Sequence, residues 1–321
     1  IIQRQSKESN DGKFLLFKSC MVNVEYPGIE SSTKYIFDKL GIDYIISPEQ
    51  TCCTGLGHYS DVFDELDTTV VAARNFNLAK SLNHGNLAMM CSTCYAINKK
   101  SADLLNNNKE VRNHVNEIFI KSGLNDKTYS EGDMDSRDNI FHVVEIFYNN
   151  REKINKLLKY QLKGLKVATH HACHYCKVQY EDTIDGVRNP MLLDELAKTC
   201  GIDTLKWYDH KRLTCGNGFR QRFVNRDYSL EVTKEKLLSL KDEGVDILLH
   251  MCPNCQIQYD RYQPVIEKQI GEKIGIYHMN ISQLIALSMG ADPYTVAGIQ
   301  THSVNLNQVL KNFEEIPREV E

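Results

Sequence analysis

No apolar run in this 321-residue chain approaches the ~20 residues needed to cross a bilayer. The longest, such as Ile281 to Met289, are short and interrupted by polar side chains. The first residues, Ile-Ile-Gln-Arg-Gln-Ser, lack the apolar core of a secretion signal. A cytoplasmic protein without a transmembrane segment is therefore expected, although a chain starting at Ile1 rather than Met is consistent with numbering that begins inside a longer one. Neither sign of charge dominates. A net charge of −4 gives no electrostatic reason to expect nucleic acid or an anionic membrane as partner. No low-complexity segment stands out, and there is no Gly-rich nucleotide loop. Apolar residues at 42% and charged residues at 25% are ordinary for folded soluble chains of one large or two average domains.

Cysteine is not scarce: there are 11. A chain of this size needs no disulfide staples, and the count is odd. In a reducing compartment, metal ligands or redox groups are the expected use.

The cysteines recur in the same order in two halves. In the first half an apolar strand-like run, Phe14 to Phe17, leads to Cys20. A helical stretch (31–40) and a second strand-like run (41–46) lead to Cys52 and Cys53. A long helix (61–81) and a strand (86–90) lead to Cys91 and Cys94. The second half repeats this. A strand at 164–169 precedes Cys173, a helix at 191–199 and a run at 201–207 precede Cys215, and a helix at 229–241 and a strand at 245–249 precede Cys252 and Cys255. Short apolar strands alternating with helices predict an α/β fold with buried parallel sheets. In such folds ligands gather at the carboxyl ends of strands, which is where each motif falls. Between the halves, residues 106–163 read as polar and helix-prone, with a solvated loop at 125–138 and a helix at 152–162. The tail reads as a small cap, helical over 304–313.

In the first half, five thiols (Cys20, Cys52, Cys53, Cys91 and Cys94) exceed the four taken by a tetrahedral zinc or a four-iron cube. They suggest a larger or distorted cluster. Adjacent Cys52 and Cys53 can serve one site only if the backbone turns sharply, for which Gly55 is at hand. The second half carries Cys173, Cys215, Cys252 and Cys255, with Thr214 where the first has Cys52. Cys176 is a spare thiol; Cys200 fits neither motif and reads as a packed residue. Zinc in either set and a thioredoxin-type pair at a lone Cys-x-x-Cys are the competing readings. His170, His171, His174 and His250 flank the motifs and suit hydrogen bonds to ligands better than ligation. Arg220 and Arg222 could clamp an anionic substrate group, as could Lys211 and Arg212 more weakly, against the plainer reading of a solvated surface.

With a single Cys, then Cys52-Cys53 (Thr214-Cys215 in the second half), then Cys-x-x-Cys in each half, over residues 14–303, the chain resembles the CCG-domain proteins, and among them the B subunit of heterodisulfide reductase and its variants in sulfur-oxidising relatives. Ala72 to Asn75, His250 to Cys255 and Asn280 to Leu287 share in the resemblance. It implies two repeated CCG domains related by pseudo-two-fold symmetry (14–150 and 151–303, then a tail, 304–321), each a small mostly parallel sheet flanked by helices. It implies two iron–sulfur clusters. A non-cubane [4Fe-4S] cluster on Cys20, Cys52, Cys53, Cys91 and Cys94 would be the reactive one, with Cys53, Cys52 and Cys20 as its catalytic ligands. The chain departs from the family at Thr54, in place of a glycine, and at Thr214. A hydroxyl is a poor substitute for a bridging thiolate, so a cubane or variant cluster on Cys173, Cys215, Cys252 and Cys255 is expected. The implied activity is reduction or formation of a disulfide or other sulfur–sulfur bond, such as the coenzyme B–coenzyme M heterodisulfide. The alternative is a non-catalytic electron relay in a fumarate or succinate reductase or a bifurcating complex. Without a ferredoxin-type four-cysteine run of its own, the chain would receive electrons from a ferredoxin-like iron–sulfur subunit and a flavoprotein, and act on a small thiol or disulfide.

Overall fold

The structure, a computed structural model, describes residues 9, 11–178, 183–218 and 221–317. The first copy of the repeat runs β1 (Lys13–Phe17), α1 (Cys20–Glu25), α2 (Pro27–Leu40), β2 (Asp43–Ile45), α3 (Gly55–His58), α4 (Glu65–Ser81), β3 (Asn86–Met89), α5 (Ser92–Asn107), α6 (Lys109–Lys121), β4 (Ile140–His142), α7 (Val143–Asn149) and α8 (Arg151–Leu157). The second runs β5 (Tyr160–Leu162), β6 (Val167–His170), a π-turn (His174–Val178), α9 (Leu192–Thr199), α10 (Gln221–Val224), α11 (Arg226–Asp242), β7 (Ile247–His250), α12 (Pro253–Asp260), α13 (Gln263–Ile270), β8 (Tyr277–Asn280), α14 (Ile281–Ser288), α15 (Asn307–Leu310) and β9 (Phe313–Glu315).

Each copy is a parallel sheet flanked by helices. The first sheet has the order β2-β1-β3-β4, the second β6-β7-β8. Registers correspond: Phe17 stands opposite Met89 in one sheet, His170 opposite His250 in the other. Strands buried on both faces need continuous apolar runs, which Phe14-Leu-Leu-Phe17 and Ile247-Leu-Leu249 supply. The expected second-half counterpart of β2 (201–207) shrinks to a single parallel bridge, Val167 to Thr204. Strand–helix units at β4–α7 and β8–α14 extend the repeat. Both begin with a capping box, built on His142 and Asn280.

Two expectations for the connecting segments are corrected. The helix expected over 152–162 stops at Leu157, and Tyr160–Leu162 pairs antiparallel with β9. The tail helix expected over 304–313 is only Asn307–Leu310. Backbone pairing between the two segments satisfies their donors and acceptors better than two isolated helical turns would.

The copies share one hydrophobic core. Helix α2 packs on α14, with Thr33 Oγ1 3.2 Å from Ser282 Oγ. Gly28 lies so close to the backbone of Ala297 that a Cβ there would sit 2.1 Å from its carbonyl oxygen. The amino ends of α5 and α12 meet across the pseudo-two-fold. Asn254 Nδ2 donates to Thr93 Oγ1 at 3.0 Å, and these residues occupy the same position in their Cys-x-x-Cys motifs. Contact between equivalent residues is what a two-fold axis between the helix ends requires.

Candidate functional site

Cys20 opens α1, just after β1. Cys91 and Cys252 are the N-cap residues of α5 and α12, and Cys94 and Cys255 lie in the first turns. A helix amino end favours thiolate and points spare N–H groups at it. Cys173 sits between β6 and the π-turn.

The sharp turn expected after Cys52 and Cys53 is present, but its left-handed residue is Thr54, at φ 58°, not Gly55. Thr54 Oγ1 donates to the Cys53 carbonyl at 2.7 Å. The backbone N–H groups of Thr54 and Gly55 then reach Cys52 and Cys53 Sγ, each at 3.4 Å. The second copy places Gly216 there, at φ 92°.

The thiols form a connected row. Cys53 Sγ is 3.2 Å from Cys94 Sγ. Cys20, Cys52 and Cys53 lie close enough to perturb one another's ionisation. So do Cys94 and Cys91, and Cys91 and Cys252 across the axis. The same holds for Cys252 and Cys255, and for Cys255 and Cys215. All 11 cysteines are free; Cys52 is exposed, Cys20 half-buried and the rest buried. Within the row, protons are shared unequally. Cys52 is held well below the ordinary thiol value by the neighbouring Cys20 and Cys53 thiols. Cys20 is pushed up by Cys52 and by burial, and Cys53 is pushed up to about 12, chiefly by Cys52. In the second set Cys255 holds Cys215 down. Burial works against ionisation of Cys252, but Cys255 and Cys91 hold it well below normal. Packed, largely buried sulfurs that stabilise thiolate at several positions fit soft metal centres.

Cys173 stands beside this row, near Cys215 and Cys252. It borders a cleft of about 490 Å³, open mouth included. The cleft lies between the copies, with Tyr59 and Thr93 on one wall, Cys173, Cys215, Cys252 and Cys255 on the other, and His174 and Asn254 at the seam. Thr214 is half-buried and lines a second cavity with Cys173. Cys176 donates to the Ala172 carbonyl at 3.2 Å, and burial pushes it up to about 12. Cys200 ends α9, buried against Ser288 and remote from both motifs.

The histidines divide. His174 bridges the copies, with Nδ1 3.0 Å from Thr93 Oγ1 and its ring stacked on Tyr59 at 4.5 Å. His171 Nε2 accepts from Leu193 N at 3.1 Å, away from the cleft. His250 stacks on Tyr259 and bonds His278 at 3.2 Å. A ring nitrogen of His170 lies within 4.8 Å of Cys215 and Cys255 Sγ. Arg222 covers the ring of Phe223 at 5.0 Å and does not line the cleft. Lys211 faces Asp194 at 3.8 Å, and Arg212 is exposed. Arg220 lies outside the described residues. Thr93, Asn254 and Tyr59 are not singled out by the sequence reading. The available signal for the first two is their shared place, two residues into each Cys-x-x-Cys motif.

The family model described as cysteine-rich domain, CCG, matches residues 14–97 and again 167–260. The chain is 54% identical over 301 residues to the B subunit of a ferredoxin:CoB-CoM heterodisulfide reductase from Methanosarcina acetivorans, covering 94% of this chain and 96% of that one. This chain belongs to the family of heterodisulfide reductase B subunits. A protein from Archaeoglobus profundus, named for its likeness to the same B subunit, is 32% identical, over 89% of this chain and 94% of its own. The fold also matches a crystal structure of a hypothetical protein from Helicobacter pylori, with TM-score 0.62 and 16% identity. That match covers 96% of this chain and 55% of the solved one, so the chain spans about half of that protein. Members of this family are iron–sulfur oxidoreductase subunits, and the repeated cysteine sets are the features of this chain that fit such a role. Among the described residues no helix is long and apolar enough to cross a membrane.

Proposed function

We propose that this chain is the component of a heterodisulfide reductase-like complex in which a disulfide or related sulfur–sulfur bond is cleaved or formed between two unlike iron–sulfur clusters. The carrying observation is the row of thiols that runs through both cysteine sets and meets the cleft between the copies. Cys20, Cys52, Cys53, Cys91 and Cys94, in the unit 14–150, would hold a non-cubane [4Fe-4S] cluster, with Cys53, Cys52 and Cys20 on its reactive side. Cys173, Cys215, Cys252 and Cys255, in the unit 151–303, would hold a cubane or variant [4Fe-4S] cluster. Bound clusters supply electrons one at a time, which suits a reaction that needs two.

In the reductive direction, one disulfide takes two electrons and two protons and leaves as two thiols. The chain's part is to hold the disulfide between the sets and keep bulk water out. Tyr59 and Phe223 give the cleft apolar walls, while Thr93 and Asn254 offer polar atoms at the seam. His174, fixed by Thr93 and Tyr59, is placed to move a proton into the cleft. Electrons would come from a ferredoxin-like iron–sulfur subunit and a flavoprotein of the same complex. The substrate proposed is the coenzyme B–coenzyme M heterodisulfide or another small thiol pair.

The test is EPR of the anaerobically purified chain, titrated with the heterodisulfide and with each thiol. A substrate-dependent change in the first cluster's signal supports catalysis. Signals that ignore every disulfide and thiol, in a chain that still exchanges electrons with its partners, would leave the electron relay instead.

A further inference from the structure

Helices α4 and α11 are both 17 residues long and occupy the same place in the two copies. Their eleventh residues are Asn75 and Lys236, each sixteen positions ahead of the first cysteine in the following Cys-x-x-Cys motif. Both are fully buried. Both grip the same backbone. Asn75 donates to the Thr51 carbonyl at 3.3 Å and accepts from Thr51 N and Oγ1 at 3.0 Å. Lys236 Nζ donates to the Leu213 carbonyl at 2.7 Å and to that of Lys211 at 2.9 Å. Thr51 and Leu213 each lie two residues before the cysteine that the motifs share, Cys53 or Cys215. The same grip is made by an uncharged amide in the first copy and by an amine able to carry a positive charge in the second.

The remaining partners of Lys236 are His170 Nδ1 at 3.0 Å and the ring of Tyr208, 5.7 Å away. Burial holds that imidazole well below its usual range, so it is neutral. No carboxylate among the described residues pairs with Lys236. A buried ammonium with only neutral partners is strongly disfavoured and calls for an anion. Burial pushes the Lys236 ammonium down to about 7, and the groups that work most strongly to keep its charge are Cys215 and Cys255, the sulfurs that His170 also approaches. The missing anion therefore belongs on the side of the second cysteine set, where a thiolate-bound cluster carries negative charge.

We infer that Lys236 is a built-in counter-charge that raises the reduction potential of the second cluster, whereas the equivalent residue of the first copy, Asn75, is uncharged. The inference rests on the second set holding a cluster, as proposed above. Each electron added there increases the negative charge beside Lys236, so the cation favours the reduced state.

The experiment is an EPR-monitored redox titration of the full chain, with iron and acid-labile sulfide counted first. Wild type with only one cluster removes the reading of the second site, and this role with it. With two clusters present, Lys236→Gln keeps a donor for the loop carbonyls but drops the charge. It should shift the second cluster's potential downward and leave the first unmoved, whereas Lys236→Arg should stay near wild type. Loss of the second cluster from the Gln variant alone, with the Arg variant retaining it, also assigns the effect to charge. An unchanged potential in the Gln variant would overturn the inference. So would equal shifts at both clusters, or loss of the second cluster from both variants, which would make Lys236 a loop anchor only.

Discussion

Asp260 ties the two cysteine-bearing layers together, and its removal should be among the costliest single changes outside the ligands. It ends α12, whose other end carries Cys252 and Cys255. Its Oδ2 accepts from the hydroxyl of Tyr26, the C-cap of α1, at 2.6 Å, and from Ser303 N at 2.8 Å. Its Oδ1 accepts from Val304 N at 2.9 Å. Asp260 is fully buried. A hydrogen bond to a charged acceptor is worth roughly 1.5–3 kcal/mol, and stranding buried donors adds their desolvation. Asp260→Ala loses all three bonds and should cost about 5 kcal/mol, a large part of the ~5–15 kcal/mol that stabilises a typical domain. Tyr26→Phe loses one and should cost about 1.5 kcal/mol. Asp260→Asn keeps one acceptor oxygen and should fall between. Anaerobic urea unfolding followed by circular dichroism would measure these costs, and a double-mutant cycle between residues 26 and 260 should return a coupling of about 1–2 kcal/mol. An Asp260→Ala variant destabilised by less than about 1 kcal/mol would refute the reasoning.

Thr54→Gly should stabilise the chain by about 1 kcal/mol, because it relieves a left-handed non-glycine residue. Gly216→Ala should do the reverse and more, since its Cβ would meet the Ser229 carbonyl oxygen at 2.4 Å; denaturant midpoints check both. Asp185 is pushed up to about 6 by burial, despite N–H bonds from Leu192, Met191 and Gly186. Its folded value lies above the unfolded one. Its contribution to stability is therefore complete below about pH 4 and is lost as pH rises through 6. The stability of wild type relative to Asp185→Asn should accordingly fall by up to about 3 kcal/mol between pH 4 and 7, and a constant difference would contradict this. Thr214→Cys restores a fifth thiol at the second set, and should bring the Mössbauer spectrum of that cluster toward that of the first.

The motifs and strands are legible in the sequence because they use strong signals. Apolar runs such as Ile247-Leu-Leu249 can only be buried, and a cysteine order repeated over two halves is not accidental. The outer connections are not legible, because Tyr160–Leu162 and Phe313–Glu315 become strands only by finding each other across the fold. Local pattern favours helix in both. At the site, the turn after Cys53 is expected, but on a different residue. Gly55 is the permissive residue by type, yet the left-handed residue of the turn is Thr54, whose hydroxyl bonds the Cys53 carbonyl. Asn75 and Lys236 carry no motif. Their role emerges only when both helices are seen gripping the loops before Cys53 and Cys215.

The central claim is that the chain holds two unlike iron–sulfur clusters, the first on five thiolates and the second, which borders the cleft, on four. Mössbauer spectroscopy of the anaerobically purified, iron-57-labelled chain, with metal and sulfide counts, tests it most directly. Iron and sulfide for two clusters, with two distinct sets of spectral components, is the predicted result. Zinc in place of iron would contradict the whole account, and two identical components would contradict the inequality drawn from Thr214.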